Sequence, residues 1–190
     1  MNLSEIVQFL VLASVVIWVL PPIRQYKNFM FDFFLVLAVI DPITLIYGLT
    51  TRKSLPLWVF TLFIFLLIIS VTNEEYLKKL KYFLIILPLF LVSLIPFLQT
   101  NHYHFIIILE NSVLLFIFLK WLIAEFVENK KLKFFYLMLI FYIITVILKY
   151  FNLLIGFTDA SSFFIIASIT QIFFGLYFSV VREDRTGITA

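Results

Sequence analysis

Seven side chains able to do chemistry stand inside otherwise apolar runs: Asp41, Glu110, Asn111, Tyr142, Lys149, Asn152 and Gln171. Polar and ionisable groups in such surroundings face a bundle interior, pair with one another, and mark binding sites, proton paths or interhelical locks. Two carboxylates and one ammonium in a low-dielectric interior couple their protonation states. With Thr44, the set could bind a small polar or zwitterionic solute, relay a proton, or hold helices together. No residue is read as catalytic. The chain has no His-Glu-x-x-His pair for zinc, no Gly-x-Ser-x-Gly turn and no phosphate-binding glycine loop. His102 and His104 stand in a short polar turn without a neighbouring carboxylate, so no metal is expected. No other cofactor is expected either, and the last apolar run has no lysine for a retinal Schiff base.

Insertion energetics rank these residues. An ionised group near the centre of a spanning helix costs roughly 2.5–3.5 kcal/mol, and each Leu, Ile or Phe offsets roughly 0.3–0.6. The apolar residues between Phe105 and Leu119 compensate one such group and not two. Glu110 therefore needs a partner or a proton. Lys120 lies about 15 Å further along the same helix, too far to pair. It is expected to snorkel to the surface or to meet Asp32. Glu110 precedes the Asn129-Lys130 turn by about as many residues as separate that turn from Lys149. An antiparallel hairpin then brings both to one depth. Glu110 with Lys149 is the expected central pair, and Asp41 a neighbouring acid beside Pro42. A proline in mid-helix removes a backbone donor and frees an upstream carbonyl, a device found where helices bend beside sites. Tyr142, Thr145, Lys149 and Asn152 follow at three- and four-residue steps, forming one polar stripe. Ser161, Ser168 and Gly175 recur every seven residues near Gln171, giving a face on which another helix can pack closely.

Composition dictates the elements that carry these residues. The chain is 64% hydrophobic and 13% charged, against roughly 45–50% apolar residues in soluble domains, and its mean hydropathy is +1.13. A water-soluble fold of 190 residues cannot hide this much apolar surface, so the chain reads as an integral membrane protein. Apolar runs near 4–22, 29–50, 55–72, 82–99, 103–127, 133–155 and 160–181 approach or exceed the roughly 20 residues that span hydrocarbon. The runs are continuous rather than alternating, which argues against strands. The connections are short, which makes neighbouring helices antiparallel. The predicted fold is thus all-α: residues 1–181 a single transmembrane bundle of seven antiparallel helices, and 182–190 a polar cytoplasmic tail. Pro21-Pro22 is expected to end the first span.

Orientation follows from the basic residues of short loops. Arg24, Lys27, Lys78, Lys79, Lys81, Lys130, Lys131, Lys133, Arg182 and Arg185 fall on one side, and only Arg52 and Lys53 on the other. The N-terminus is predicted outside and the C-terminus in the cytoplasm, with the protein multi-pass in the inner (plasma) membrane. The residues MNLSE lack the basic region of a cleaved signal peptide, so the first run is expected to be retained. The absence of cysteine excludes disulfides, iron–sulfur clusters and thiolate chemistry in this chain. The basic loops suit anionic lipid, and nothing presents a surface to nucleic acid. The bilayer is the expected partner, with another membrane protein possible on the Ser161/Ser168/Gly175 face.

The segment NHYHFIIILENSVLLFIFLKWL, with Glu110 in an aromatic-aliphatic helix after a polar turn, resembles the small seven-helix membrane proteins of Bacteroidetes. Similar modules precede sensor kinases in that group, so the resemblance implies a sensing or accessory role exercised through a partner. PPIRQYKN followed by LIYGL resembles, more faintly, the SWEET and PQ-loop carriers. That family repeats its proline motif in the second half, and residues 126–132 hold no counterpart. The expected function is a non-enzymatic sensing or accessory module built around a buried polar cluster. A small-solute or proton-coupled transporter is the alternative.

Overall fold

The computed structural model describes residues 3–79, 81–94, 97–130, 132–156 and 160–183, which are helical with no strand among them. In chain order the helices are α1 (Leu3–Trp18), α2 (Leu20–Arg24), α3 (Phe31–Thr51), α4 (Leu57–Val71), α5 (Glu74–Lys79), α6 (Lys81–Leu94), α7 (Thr100–Asn129), α8 (Phe134–Ile155) and α9 (Ala160–Val180). By length and composition α3, α7 and α8 can cross a membrane. Phe9–Arg24, Leu57–Val71 and Ile165–Val180 are shorter apolar helical stretches.

Local chemistry sets the ends of these helices. At the start of α7, the Gln99 N–H donates to His102 Nδ1 at 3.1 Å, while the Gln99 side chain caps the first turn in return. His102 is thus a helix cap, satisfying a backbone donor that has no partner inside the helix. α8 ends at Gly156 with φ 69°, the left-handed turn that glycine adopts without strain. Pro42 lies inside α3, which runs unbroken through it. The Pro21-Pro22 pair does more than end the first helix. It opens α2, where a missing N–H costs nothing, and both rings are buried.

Six helices close a ring: α1 packs on α3, α3 on α4, α4 on α7, α7 on α8, α8 on α9, and α9 back on α1. α2 lies against α3 and α9, and α6 sits outside the ring against α4. Aromatic side chains fill one end. Phe33 and Phe34 of α3 meet Phe118 of α7, Phe135 of α8 and Phe178 of α9, with centroids 5.0 to 6.3 Å apart in edge-on or tilted contacts. Such pairs contribute about 0.5–1.5 kcal/mol each beyond their buried area.

A polar clasp seals the same end. Gln25 is fully buried; its Nε2 donates to the Val181 carbonyl at 2.8 Å, and its Oε1 accepts the Glu183 N–H at 3.0 Å. Asn28 donates to the Glu183 carbonyl at 2.6 Å, and Arg182 reaches Asn28 Oδ1 at 2.9 Å. The Tyr136 hydroxyl donates to Glu183 Oε1 at 2.5 Å. Nearby, Lys133 pairs with the buried Glu125 at 2.6 Å, and Asn129 donates to the same oxygen. Arg182 and Glu183, expected in a free tail, are therefore fixed to the α2–α3 turn. Residues 184–190 lie outside the described residues.

The small-residue face of α9 is covered within the chain. Ser168 and Gly175 are buried, and a Cβ at Gly175 would lie 2.7 Å from Ile17 Cγ2 and 3.4 Å from Trp18 Nε1. At these two positions α1 occupies the surface expected to receive another protein; the Ser161 side chain lies outside those described. The close approach supports a prediction. Gly175→Ala should destabilise the chain by about 1–3 kcal/mol, the usual cost of overpacking, seen as a lower Tm in detergent micelles. An unchanged or higher Tm would show that α1 and α9 are not in such close contact.

Candidate functional site

Away from the aromatic end, the ring leaves room. Two adjoining cavities, of about 90 and 340 Å³, share Asp41, Phe60, Lys149 and Gln171 in their walls. Every ring helix turns one stripe toward this space: Ser14 and Trp18 from α1, Asp41 and Thr44 from α3, Phe60 and Ile64 from α4, Asn111 from α7, Tyr142 and Lys149 from α8, Ser168 and Gln171 from α9. Spacings of three, four and seven within these helices keep such residues on one face. The polar residues that look scattered along the chain are thus gathered by helical periodicity.

Asp41 and Lys149 form the electrostatic centre. They are the acid and the base that line both cavities. Ser14 Oγ donates to Asp41 Oδ2 at 3.3 Å. Asn111 is 2% exposed, and its amide nitrogen donates to the Ile107 carbonyl at 2.8 Å. Thr44 donates to the Ile40 carbonyl at 2.9 Å, leaving its oxygen able to accept. The Tyr142 ring is wedged between Trp18, at 5.1 Å, and Phe174, at 5.7 Å. Gln171 faces both cavities, and its side chain makes no hydrogen bond to a described residue.

Five of the seven candidates, Asp41, Asn111, Tyr142, Lys149 and Gln171, therefore meet in one place. Glu110 does not. Glu110 lines neither cavity and sits on a partly exposed flank, with Oε2 buried and without a hydrogen bond. The hairpin argument counts residues for depth and ignores rotation. The buried stripe of α7 runs through Ile107, Asn111, Leu114 and Phe118, and Glu110 lies about 100° around the helix from Asn111. Asn152 is buried but lines neither cavity. Lys120 and Asp32 are exposed and make no ion pair with each other.

Ser14, Trp18, Phe60 and Tyr150 join the site without having been singled out by sequence. Ser14 and Trp18 stand four residues apart on α1, a spacing that signals a shared face only once the inward direction is known. Tyr150 lines the smaller cavity and contacts the buried His104 at 5.9 Å between ring centroids. No set of three metal-ligating groups occurs among the described residues. No protein-family model, curated protein or solved structure matches the chain.

An acid and a base facing a polar space with aromatic and aliphatic walls can bind a small solute by charge and hydrogen bonding. The arrangement also ranks the ionisable residues by stability. Asp41 is half-buried, lines both cavities with Lys149 and accepts from Ser14, so Asp41→Asn should lower the denaturation midpoint in micelles. Glu110→Gln removes a carboxylate without a charge partner and should be neutral or stabilising. The reverse ranking would reinstate Glu110 as the central acid.

Proposed function

We propose that the chain is a multi-pass protein of the inner (plasma) membrane, acting as a non-enzymatic sensing or accessory module that takes a small polar solute into its ring. The observation that carries this reading is the meeting of Asp41, Lys149 and Gln171 in one space bounded by six helices. The seven longest helices serve as antiparallel spans, with the N-terminus outside and the C-terminus cytoplasmic. Three helices long enough to cross a membrane and the one-sided distribution of Lys and Arg support this arrangement. In the sensing role a partner would read the occupied state from the basic face.

A carrier is the second reading, and one feature favours it. Aromatic packing and the Gln25–Glu183 clasp seal one end, while the larger cavity runs along Gly48 to Leu49, which is 74% exposed. A site closed on one side and reachable from the other is what alternating access requires of one of its states.

Two measurements test the proposal. In proteoliposomes the module reading predicts saturable solute binding without accumulation, whereas time-dependent uptake would establish the carrier. The cysteine-free sequence gives a clean background for topology. A membrane-impermeant maleimide should label Thr51→Cys on intact cells and Lys78→Cys only after permeabilisation. The opposite pattern would invert the orientation.

A further inference from the structure

We infer that the groove between α2 and the end of α9 is a headgroup site for an anionic phospholipid. This rests on the membrane placement proposed above and not on the solute-binding reading. The groove, of about 600 Å³, carries Arg24, Lys27 and Arg182 on its walls, and no acidic side chain lines it among the described residues. None of the three cations pairs with an acid there. Positive charge gathered in a cleft without a counter-charge attracts an anion.

The hydrogen bonds of these residues leave them open to one. Arg24 Nε donates to the Val180 carbonyl at 3.1 Å, and both terminal nitrogens of its guanidinium are unbonded among the described residues. Arg182 uses one terminal nitrogen, on the Tyr26 carbonyl at 3.3 Å and on Asn28 Oδ1 at 2.9 Å. Lys27 Nζ stands 5.6 Å from the centroid of the Tyr26 ring and makes no hydrogen bond to a described residue. The Gln25–Glu183 clasp ties together the two segments that carry these groups, so the donors are positioned before binding. Guanidinium forks match the paired oxygens of a phosphate.

Apolar surface distinguishes a lipid from a soluble anion. Phe9, Leu12, Val16, Leu20 and Ile23 are each exposed and follow at three- and four-residue steps along the helical stretch Phe9–Arg24. This stripe enters the groove at Leu20 and Ile23. Ile169, Phe173, Leu176 and Val180 form a matching exposed stripe on α9, which ends at the carbonyl that Arg24 holds. α1 and α9 pack on one another, so two apolar tracks lead to one cluster of cations. A phosphodiester bearing two hydrocarbon chains meets both features, with its phosphate in the groove and its chains along the tracks. Inorganic phosphate would use the charges and leave the tracks bare. Basic pockets between membrane helices are the usual seats of anionic headgroups.

The test titrates the full chain, in nonionic detergent micelles, with dioleoylphosphatidylglycerol or dioleoylphosphatidylcholine and counts bound lipid by native mass spectrometry. A saturable site is expected, at least ~10-fold tighter for phosphatidylglycerol, since each cation near an anionic lipid contributes roughly fivefold. Lys27→Gln breaks no hydrogen bond and should alone weaken phosphatidylglycerol roughly fivefold; Arg24→Gln/Lys27→Gln should weaken it further. Lys78→Gln/Lys79→Gln removes the same charge from α5 and should leave the preference intact. Equal affinity for the two lipids, or equal losses in the two double variants, would overturn the site. Displacement of phosphatidylglycerol by an equal concentration of sn-glycerol 3-phosphate would overturn the lipid assignment in favour of a soluble anion. Alkaline carbonate extraction of membranes separates the remaining cases. A chain retained in the pellet yet without lipid preference refutes the headgroup site alone, and a chain released to the supernatant refutes the membrane placement with it.

Discussion

The placement of Asp41 and Lys149 on one space inside the ring is the constraint on which the arrangement depends. Neither charge has an inexpensive place in hydrocarbon. Bringing them to one space fixes how α3 and α8 rotate about their own axes, because each must turn its charged residue inward. α1 follows through Ser14, which donates to Asp41. α9 follows through Gln171 and through Gly175, where α1 approaches too closely to admit a methyl group. The polar space is a consequence of satisfying these residues together.

The two ends of the bundle divide the work. At one end, interlocked rings from α3, α7, α8 and α9 give dense packing, and the clasp around Gln25 and Glu183 ties the chain beyond α9 to the α2–α3 turn. Toward the other, smaller side chains at Ser14, Thr44, Gly48 and Ser168 leave volume unfilled. Rigid packing below a cavity holds its polar groups in place with little reorganisation on binding, which is what preorganisation means for affinity.

The helical class and the positions of the longer helices were legible in the sequence because continuous apolar runs and short polar turns encode both directly. Most members of the site were legible too, since polar residues inside such runs are few. The central pairing was not. Residue counts from the Asn129-Lys130 turn give depth, but the face of α7 that points inward is set by Ile107, Leu114 and Phe118 packing into the core, and nothing in a single apolar helix distinguishes that face from one turned to lipid. The same ambiguity hid Ser14 and Trp18. The clasp was missed because its bonds are largely side chain to backbone across more than 150 residues of chain, beyond any local pattern.

A double-mutant cycle on Asp41 and Lys149 tests the central claim most directly. Asp41→Asn, Lys149→Met and the double variant would be unfolded by denaturant in micelles and their stabilities compared with the native chain. Facing residues should be coupled by about 0.5–3 kcal/mol, the double variant losing less than the two single losses combined. Strictly additive losses would mean that the acid and the base do not face one another, and the polar space would lose its organising pair.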